Sequence, residues 1–347
     1  MHIRLVSMLL PLTLLGAPGA AAVDPSRAFL MTAFDLSAAE IGRLDRGEVI
    51  ARTLDSKNRR EVATLGIVRI NTSASQYVER LADITKFKRT EGVLQIGLFG
   101  SPPRLEDIAS LSIDEADLKR LRYCEVGDCD VRLPADAIDR IRRDVRWDAP
   151  DALRKANLLV QQLLVDYVAR YRQSGTAAAM EYADREPRRH VGREFAALLQ
   201  ADTVTARYAP RLRRHLLEYP APPAEKITDF MYWSKELVRG RPVVSITHVA
   251  TAATVDDSPV AYAVGSKQIY AMHYYDASLG LTLLVPDRGP AGSGTFLVYL
   301  NRSRIDLFEG LFGGMARRLV AGRARGLVAE QLQRLQRTMS ASAPQGN

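Results

Sequence analysis

Val62-Ala63-Thr64-Leu65-Gly66-Ile67-Val68-Arg69-Ile70-Asn71-Thr72-Ser73-Ala74-Ser75-Gln76-Tyr77-Val78 is the stretch that decides the fold. Its first nine residues are rich in β-branched and apolar side chains and read as a strand over 61–70. Asn71-Thr72-Ser73 stops that strand, and Ser73 caps a short helix carrying Tyr77, Val78 and Leu81. At the far end of the chain, four β-rich runs within 243–301 close on Phe296-Leu297-Val298-Tyr299-Leu300-Asn301-Arg302. They feed one long amphipathic helix over 305–339, whose apolar stripe includes Phe308, Phe312, Met315, Leu319, Leu332, Leu335 and Met339. A strand, small helices, an antiparallel meander and a long last helix predict an α+β fold. In it, a curved antiparallel sheet grips the C-terminal helix around a cavity.

Working outward, residues 24–46 are mostly helical, with Ser37-Ala38-Ala39-Glu40 as a capping-box start. Strands are predicted over 48–54, 91–99 and 105–113. From 114 to 238 the apolar residues recur at helical spacing. Helices are expected after Pro134 and Pro150, and over 191–199, 208–217 and 227–237, the last carrying Phe230, Tyr232 and Trp233. This block reads as an inserted helical subdomain over 114–240. It splits the sheet domain into 23–113 and 241–340, and a polar, disordered tail is expected over 341–347.

The first residues carry a compartment signal. Arg4 gives a positive start, residues 5–15 are apolar, and a small-residue segment ends in Ala20-Ala21-Ala22. Residues 1–22 therefore read as a secretory signal peptide. The expected protein is secreted across the inner membrane, and is periplasmic if the source is Gram-negative. The two cysteines, Cys124 and Cys129, are expected to form a disulfide in that oxidising compartment. The net charge of +8 comes mostly from dispersed arginine, which suits contact with an anionic membrane surface. Export and the lack of clustered arginines with surface aromatics argue against nucleic acid.

With Val62 to Val78 at one end and Phe296 to Arg302 at the other, the chain resembles the START-like, helix-grip superfamily, which includes the birch-pollen-allergen fold and the polyketide cyclases. The resemblance covers about 47–113 and 241–340 and is one of element order. It implies a hydrophobic cavity between sheet and terminal helix that holds a lipid-like or other apolar small molecule. The helical block departs from the pattern, as either a lid over the cavity or a plug within it.

No His-Glu-x-x-His, Gly-x-Ser-x-Gly or phosphate-loop motif is present, so no metal and no cofactor is expected. Strand alternation places His248 with Val244, Ile246 and Ala250, and His273 with Ile269, Ala271 and Tyr275. Both imidazoles are candidates to face the cavity, as ligand partners or as acid and base; the alternative is two satisfied core histidines. Lys267, Tyr270 and Tyr275 belong to a run that is polar on both faces, read either as a wet pocket or as an edge covered by the helical block. Asn301 and Arg302, with Arg304, stand ready to clamp an anionic head group, or to form a hydrogen-bond network at the start of the helix. Three functions follow as expectations. The first is a carrier for a hydrophobic ligand. The second is a cyclase- or hydrolase-like enzyme in the same cavity, with His248 or His273 as base. The third is a ligand-free interaction module.

Overall fold

The structure, a computed structural model, describes residues 24–222, 226–254, 258–289, 294–306 and 313–341. The expected signal peptide, the tail beyond 341, and Phe308, Phe312 and the side chain of Met315 in the terminal stripe lie outside the described residues. Helices α1 (Pro25–Phe34) and α2 (Ala38–Asp45) come first, and Ser37 and Glu40 form the predicted capping box on α2. Strands β1 (Ile50–Leu54) and β2 (Glu61–Ile70) pair as a hairpin. Then come α3 (Ala74–Ala82), α4 (Ile84–Phe87) and β3 (Val93–Leu98), with Ser73 and Gln76 boxing the start of α3. The helical stretch holds α5 (Glu115–Leu121), α6 (Ala135–Asp144) and α7 (Ala152–Ser174). A small hairpin of β4 (Glu181–Tyr182) and β5 (Arg189–His190) leads to α8 (Val191–Ala201), α9 (Thr203–Tyr208) and α10 (Pro210–Glu218). The chain ends in β6 (Ile227–Val238), β7 (Arg241–Ala253), β8 (Tyr262–Ala271), β9 (Tyr275–Pro286), β10 (Thr295–Ile305) and α11 (Gly313–Ala341). Cys124 and Cys129 are disulfide-bonded.

Among the described residues, one eight-stranded sheet runs β1-β2-β10-β9-β8-β7-β6-β3. Every neighbouring pair is antiparallel. Both faces are covered, and the alternation of each strand sorts its side chains between them. On the back face, Leu65, Ile67, Leu281, Leu283, Phe296 and Val298 pack with α1, α2, α8 and α10. Further along the same face, Met231, Trp233, Val244 and Ile246 pack with α5, α6 and α7. On the front face, Val68, Tyr232, Val249, Val264, Leu284 and Leu297 meet α3 and α11. The helical stretch therefore shares its core with the back of the sheet, while the terminal helix lies across the front. Gly66 lets α11 approach: a Cβ there would sit 2.5 Å from both Leu332 Cδ1 and Val328 Cγ1.

Three expectations are corrected. Residues 227–237 are a strand, not a helix. Both faces of β6 are buried, so apolar residues occur at both parities (Met231 and Trp233 behind, Phe230 and Tyr232 in front) and mimic helical spacing. Residues 105–113 are not a strand but a single 3-10 turn (Leu105–Ile108) followed by loop. Ile108, Leu111 and Ile113 are buried there against α5 and α7, and the Gln161 amide on α7 satisfies the carbonyls of Leu111 (2.7 Å) and Ile108 (3.3 Å) that a neighbouring strand would otherwise pair. Ile305 does not open the terminal helix, because β10 continues its pairing to β9 through that residue; α11 is described over Gly313–Ala341.

Candidate functional site

The front face carries a polar cluster assembled from four strands. Tyr232, Ser234 and Glu236 come from β6, Ser245 from β7, Tyr275 and Ser278 from β9, and Tyr299, Asn301 and Ser303 from β10. Lys88, just beyond α4, reaches over them. Its ammonium donates to Glu236 Oε1 (2.7 Å) and to the Tyr232 hydroxyl (3.2 Å). Ser234 Oγ donates to the same carboxylate oxygen at 2.6 Å. Asn301 donates to Ser278 Oγ (3.3 Å) and accepts from Ser303 Oγ (2.9 Å), and the two serine hydroxyls share a 2.8 Å bond.

Burial pushes the Tyr275 phenol up to about 12, helped by Glu236 and Tyr299. Burial likewise raises Tyr299 and Tyr77, so these phenols are neutral at physiological pH. For Glu236, burial works toward protonation, yet Lys88 outweighs it and the carboxyl falls below its ordinary range. This front cluster thus presents neutral tyrosine hydroxyls and the Lys88–Glu236 ion pair. Tyr275, Tyr299, Tyr262, Phe230 and Phe87 remain only half-buried although helices pass over this side of the sheet. A Cβ on Gly280 would meet nothing nearer than Ser266 Cβ at 3.4 Å and the Tyr299 hydroxyl at 3.6 Å. These are ordinary packing distances, so a small side chain at 280 fits there without a collision.

Of the residues singled out by sequence, Tyr275 and Asn301 belong to this front cluster. The others lie elsewhere. Arg302 and Arg304 point to the back, where Arg302 bonds Glu61 and Arg304 bonds Glu194 at 2.5 Å; a network inside the protein is what they form. Tyr270 is fully buried behind the sheet, beside Tyr182. His273 does not share a strand face with Tyr275. It sits in the turn after β8, where Tyr274 adopts φ 67°, and its Nε2 is 2.9 Å from Asp117 Oδ2 on α5. His248 does lie with Val244, Ile246 and Ala250, but that is the back face.

There His248 joins a second cluster. His215 Nε2 on α10 is 3.1 Å from Asp229 Oδ2 on β6, and His248 Nε2 on β7 is 3.6 Å from Asp229 Oδ1. The Tyr171 hydroxyl lies 3.2 Å from His248 Nδ1, and the Tyr219 ring centroid 4.4 Å from that of His248. This trio of two imidazoles and a carboxylate has the donor types that hold a metal ion. Burial works to raise the Asp229 carboxyl, but the His215 bond and the nearness of His248 bring it well below the usual carboxylate range; burial lowers His248.

Lys267, the cross-strand partner of His248, is 1 % exposed. It donates to Leu216 O and Thr176 Oγ1, both at 3.1 Å, and lies 4.8 Å from the Phe195 ring centroid. Among the described residues no carboxylate bonds it, and burial lowers its pKa to about 7. An unfolded lysine titrates near 10.4, so between about 7 and 10.4 the unfolded chain binds more protons than the folded one. Stability is expected to rise with pH across that window. Lys267→Met is expected to stabilise the protein by about 1–4 kcal/mol at pH 7 and to flatten that rise, read by urea unfolding at several pH values. A less stable K267M variant would show that the two hydrogen bonds outweigh the burial of the charge.

Sequence reading missed Lys88, Glu236, His215 and Asp229. Three of these depend on β6: read as a strand, it places Glu236 in front and Asp229 behind, where Asp229 meets His215. Comparison with known proteins adds no family. No family model matches the chain, and no curated protein matches it. A solved structure of TTHA0849 from Thermus thermophilus aligns with 43 % of this chain and 91 % of its own, at 16 % identity and a TM-score of 0.26; a likeness that small carries no argument. No helix among the described residues is long and apolar enough to cross a membrane.

Proposed function

We propose that this protein is an exported carrier that holds an amphipathic, lipid-like molecule between the front of the sheet and helices α3, α4 and α11. The observation that carries this reading is the contrast between the two faces. The back is filled by Trp233, Phe195, Tyr167 and other fully buried side chains, whereas on the front Tyr262, Tyr275, Tyr299, Ser266 and Ser278 stay half-buried. The helical block packs on the back, so among the described residues the front is covered by α3, α4 and α11, and a ligand would lie beneath them. The element order strand, small helices, meander and terminal helix is that of the START-like resemblance, and the disulfide suits export.

Apolar contact with Val68, Val264, Leu284 and Leu297 would supply affinity at about 25 cal/mol per Å² before ordering costs. The hydroxyls and the Lys88–Glu236 pair would orient the polar end. The placement of His248 and His273 behind the sheet weighs against an enzyme that uses either as a base in this recess.

Native mass spectrometry of gently purified protein tests the proposal. One lipid-sized adduct per chain is expected. Gly280→Val, which puts a side chain against Ser266 and the Tyr299 hydroxyl on the front face, is expected to lower occupancy about tenfold with unchanged circular dichroism. A wild-type protein with no adduct, and no uptake from a lipid extract, sinks the carrier reading.

A further inference from the structure

We propose that His215, Asp229 and His248 form a site for one divalent transition-metal ion of the zinc class. The site lies behind the sheet and is independent of the carrier reading.

Geometry makes the case first. The three ligand atoms lie within 4.8 Å of one another. Bonds of 2.0–2.1 Å in a tetrahedral site set ligand atoms about 3.3 Å apart. His215 Nε2 is 3.1 Å from Asp229 Oδ2 and His248 Nε2 is 3.6 Å from Asp229 Oδ1; the two contacts use different oxygens, so a rotation of the carboxylate and small imidazole shifts would close the three ligands on one ion. Each ligand comes from a different element, and each element is fixed by its own core: α10 by Leu212 and Leu216, β6 by Met231 and Trp233, β7 by Ile246 and Ala250.

The second observation concerns His248 itself. Its side chain is wholly buried, and among the described residues its Nε2 has no hydrogen-bond partner. A buried polar atom left in that state is costly, and native proteins rarely retain one. The Nε2 faces Asp229 because the other ring nitrogen is engaged by Tyr171. The Tyr171 hydroxyl can accept from Nδ1–H, and in that tautomer Nε2 presents its lone pair, as a metal requires. Tyr219 packs against the same ring and limits its rotation.

Chemistry then selects the ion. Two imidazoles and one carboxylate favour Zn²⁺, Co²⁺ or Ni²⁺ over Mg²⁺ and Ca²⁺, which prefer all-oxygen shells. Three protein ligands leave one position for water. Asp229 is the ligand nearest solvent. The last β3–β6 hydrogen bond runs from Phe99 N to Met231 O, so among the described residues β3 does not reach Asp229, whose side chain keeps 20 % of its exposure. The Lys267 ammonium is the unfavourable neighbour; its bonds to Leu216 O and Thr176 Oγ1 hold it, and the Asp229 charge opposes it.

The test uses the full exported chain, purified without a polyhistidine tag and stripped with EDTA. Titration with Co²⁺, followed by ligand-field absorption, is expected to saturate at one ion per chain, with Zn²⁺ displacing it and Mg²⁺ failing to. Asp229→Asn and His215→Gln should each weaken binding at least 100-fold, whereas His190→Gln, which alters the cap of α8, should leave it unchanged. X-ray absorption of the wild-type zinc complex should show two imidazole ligands, a readout that does not depend on whether the variants fold. No stoichiometric Co²⁺ or Zn²⁺ binding by wild type, or wild-type affinity in folded D229N and H215Q, would overturn the proposal.

Discussion

Arg132→Met is expected to destabilise the folded protein by about 3–5 kcal/mol, the cost of leaving a buried carboxylate without its cation. Arg132 follows the disulfide loop and is 3 % exposed. Its guanidinium lies 2.9 Å from Asp276 Oδ1 and 2.9 Å from Asp306 Oδ2, donates to the Tyr275 carbonyl at 2.6 Å, and lies 5.2 Å from the Tyr182 ring centroid. Its backbone N–H donates to Met272 O. One residue thus ties the helical block to the turn between β8 and β9. Asp276 is the vulnerable partner. Burial raises its pKa, and the pull of Arg132 and Arg60 does not fully restore it. Without Arg132, Arg60 at 2.6 Å is left to face that carboxylate. Chemical denaturation with an unchanged m-value is the measurement. Adding Asp276→Asn to R132M is expected to recover part of the loss, because the second change removes the stranded charge. A loss under about 1 kcal/mol for R132M would mean that water or Arg60 takes over the pairing.

Local chemistry makes some of this legible and long-range pairing hides the rest. Glu61–Ile70 and its capped helix are readable because a β-branched run followed by Ser73 and Gln76 has one local solution. The α+β class follows from element order. β6 reads as a helix because a strand buried on both faces loses its alternation, and because its context depends on pairing with β3, far back in the chain, as well as with β7. That single error conceals both clusters. As a helix, 227–237 presents Asp229 and Glu236 as surface charges; as a strand, it turns one toward His215 and His248 and the other toward Lys88. Lys88 itself carries no sequence signal, since only the packing of α4 brings it over Tyr232. The side on which the helical block settles is equally beyond local reading: its apolar stripe fits either face of a sheet.

Gly175→Ala is expected to lower stability by about 2–5 kcal/mol, more than backbone strain alone explains. Gly175 ends α7 with φ 54° and ψ −130°, a conformation that side chains disfavour. Its N–H closes the helix on Tyr171 O. The heavier cost is steric. An added Cβ would fall 1.6 Å from the carbonyl oxygen and 2.5 Å from the carbonyl carbon of Tyr219, and neither is a flexible side-chain tip. The chain at Tyr219 must therefore retreat, taking with it a ring that stacks on Tyr171 at 5.3 Å and packs against His248. Gly240 supplies the control: its φ is 81°, but an added Cβ meets nothing within 4 Å. Gly240→Ala should cost only about 1 kcal/mol, the strain without the collision. The comparison reads as a fall in thermal midpoint of roughly 5–10 °C for G175A against a few degrees for G240A. Equal falls would mean that the Tyr219 segment yields freely, and that the ring wall around His248 is set by Tyr171 instead.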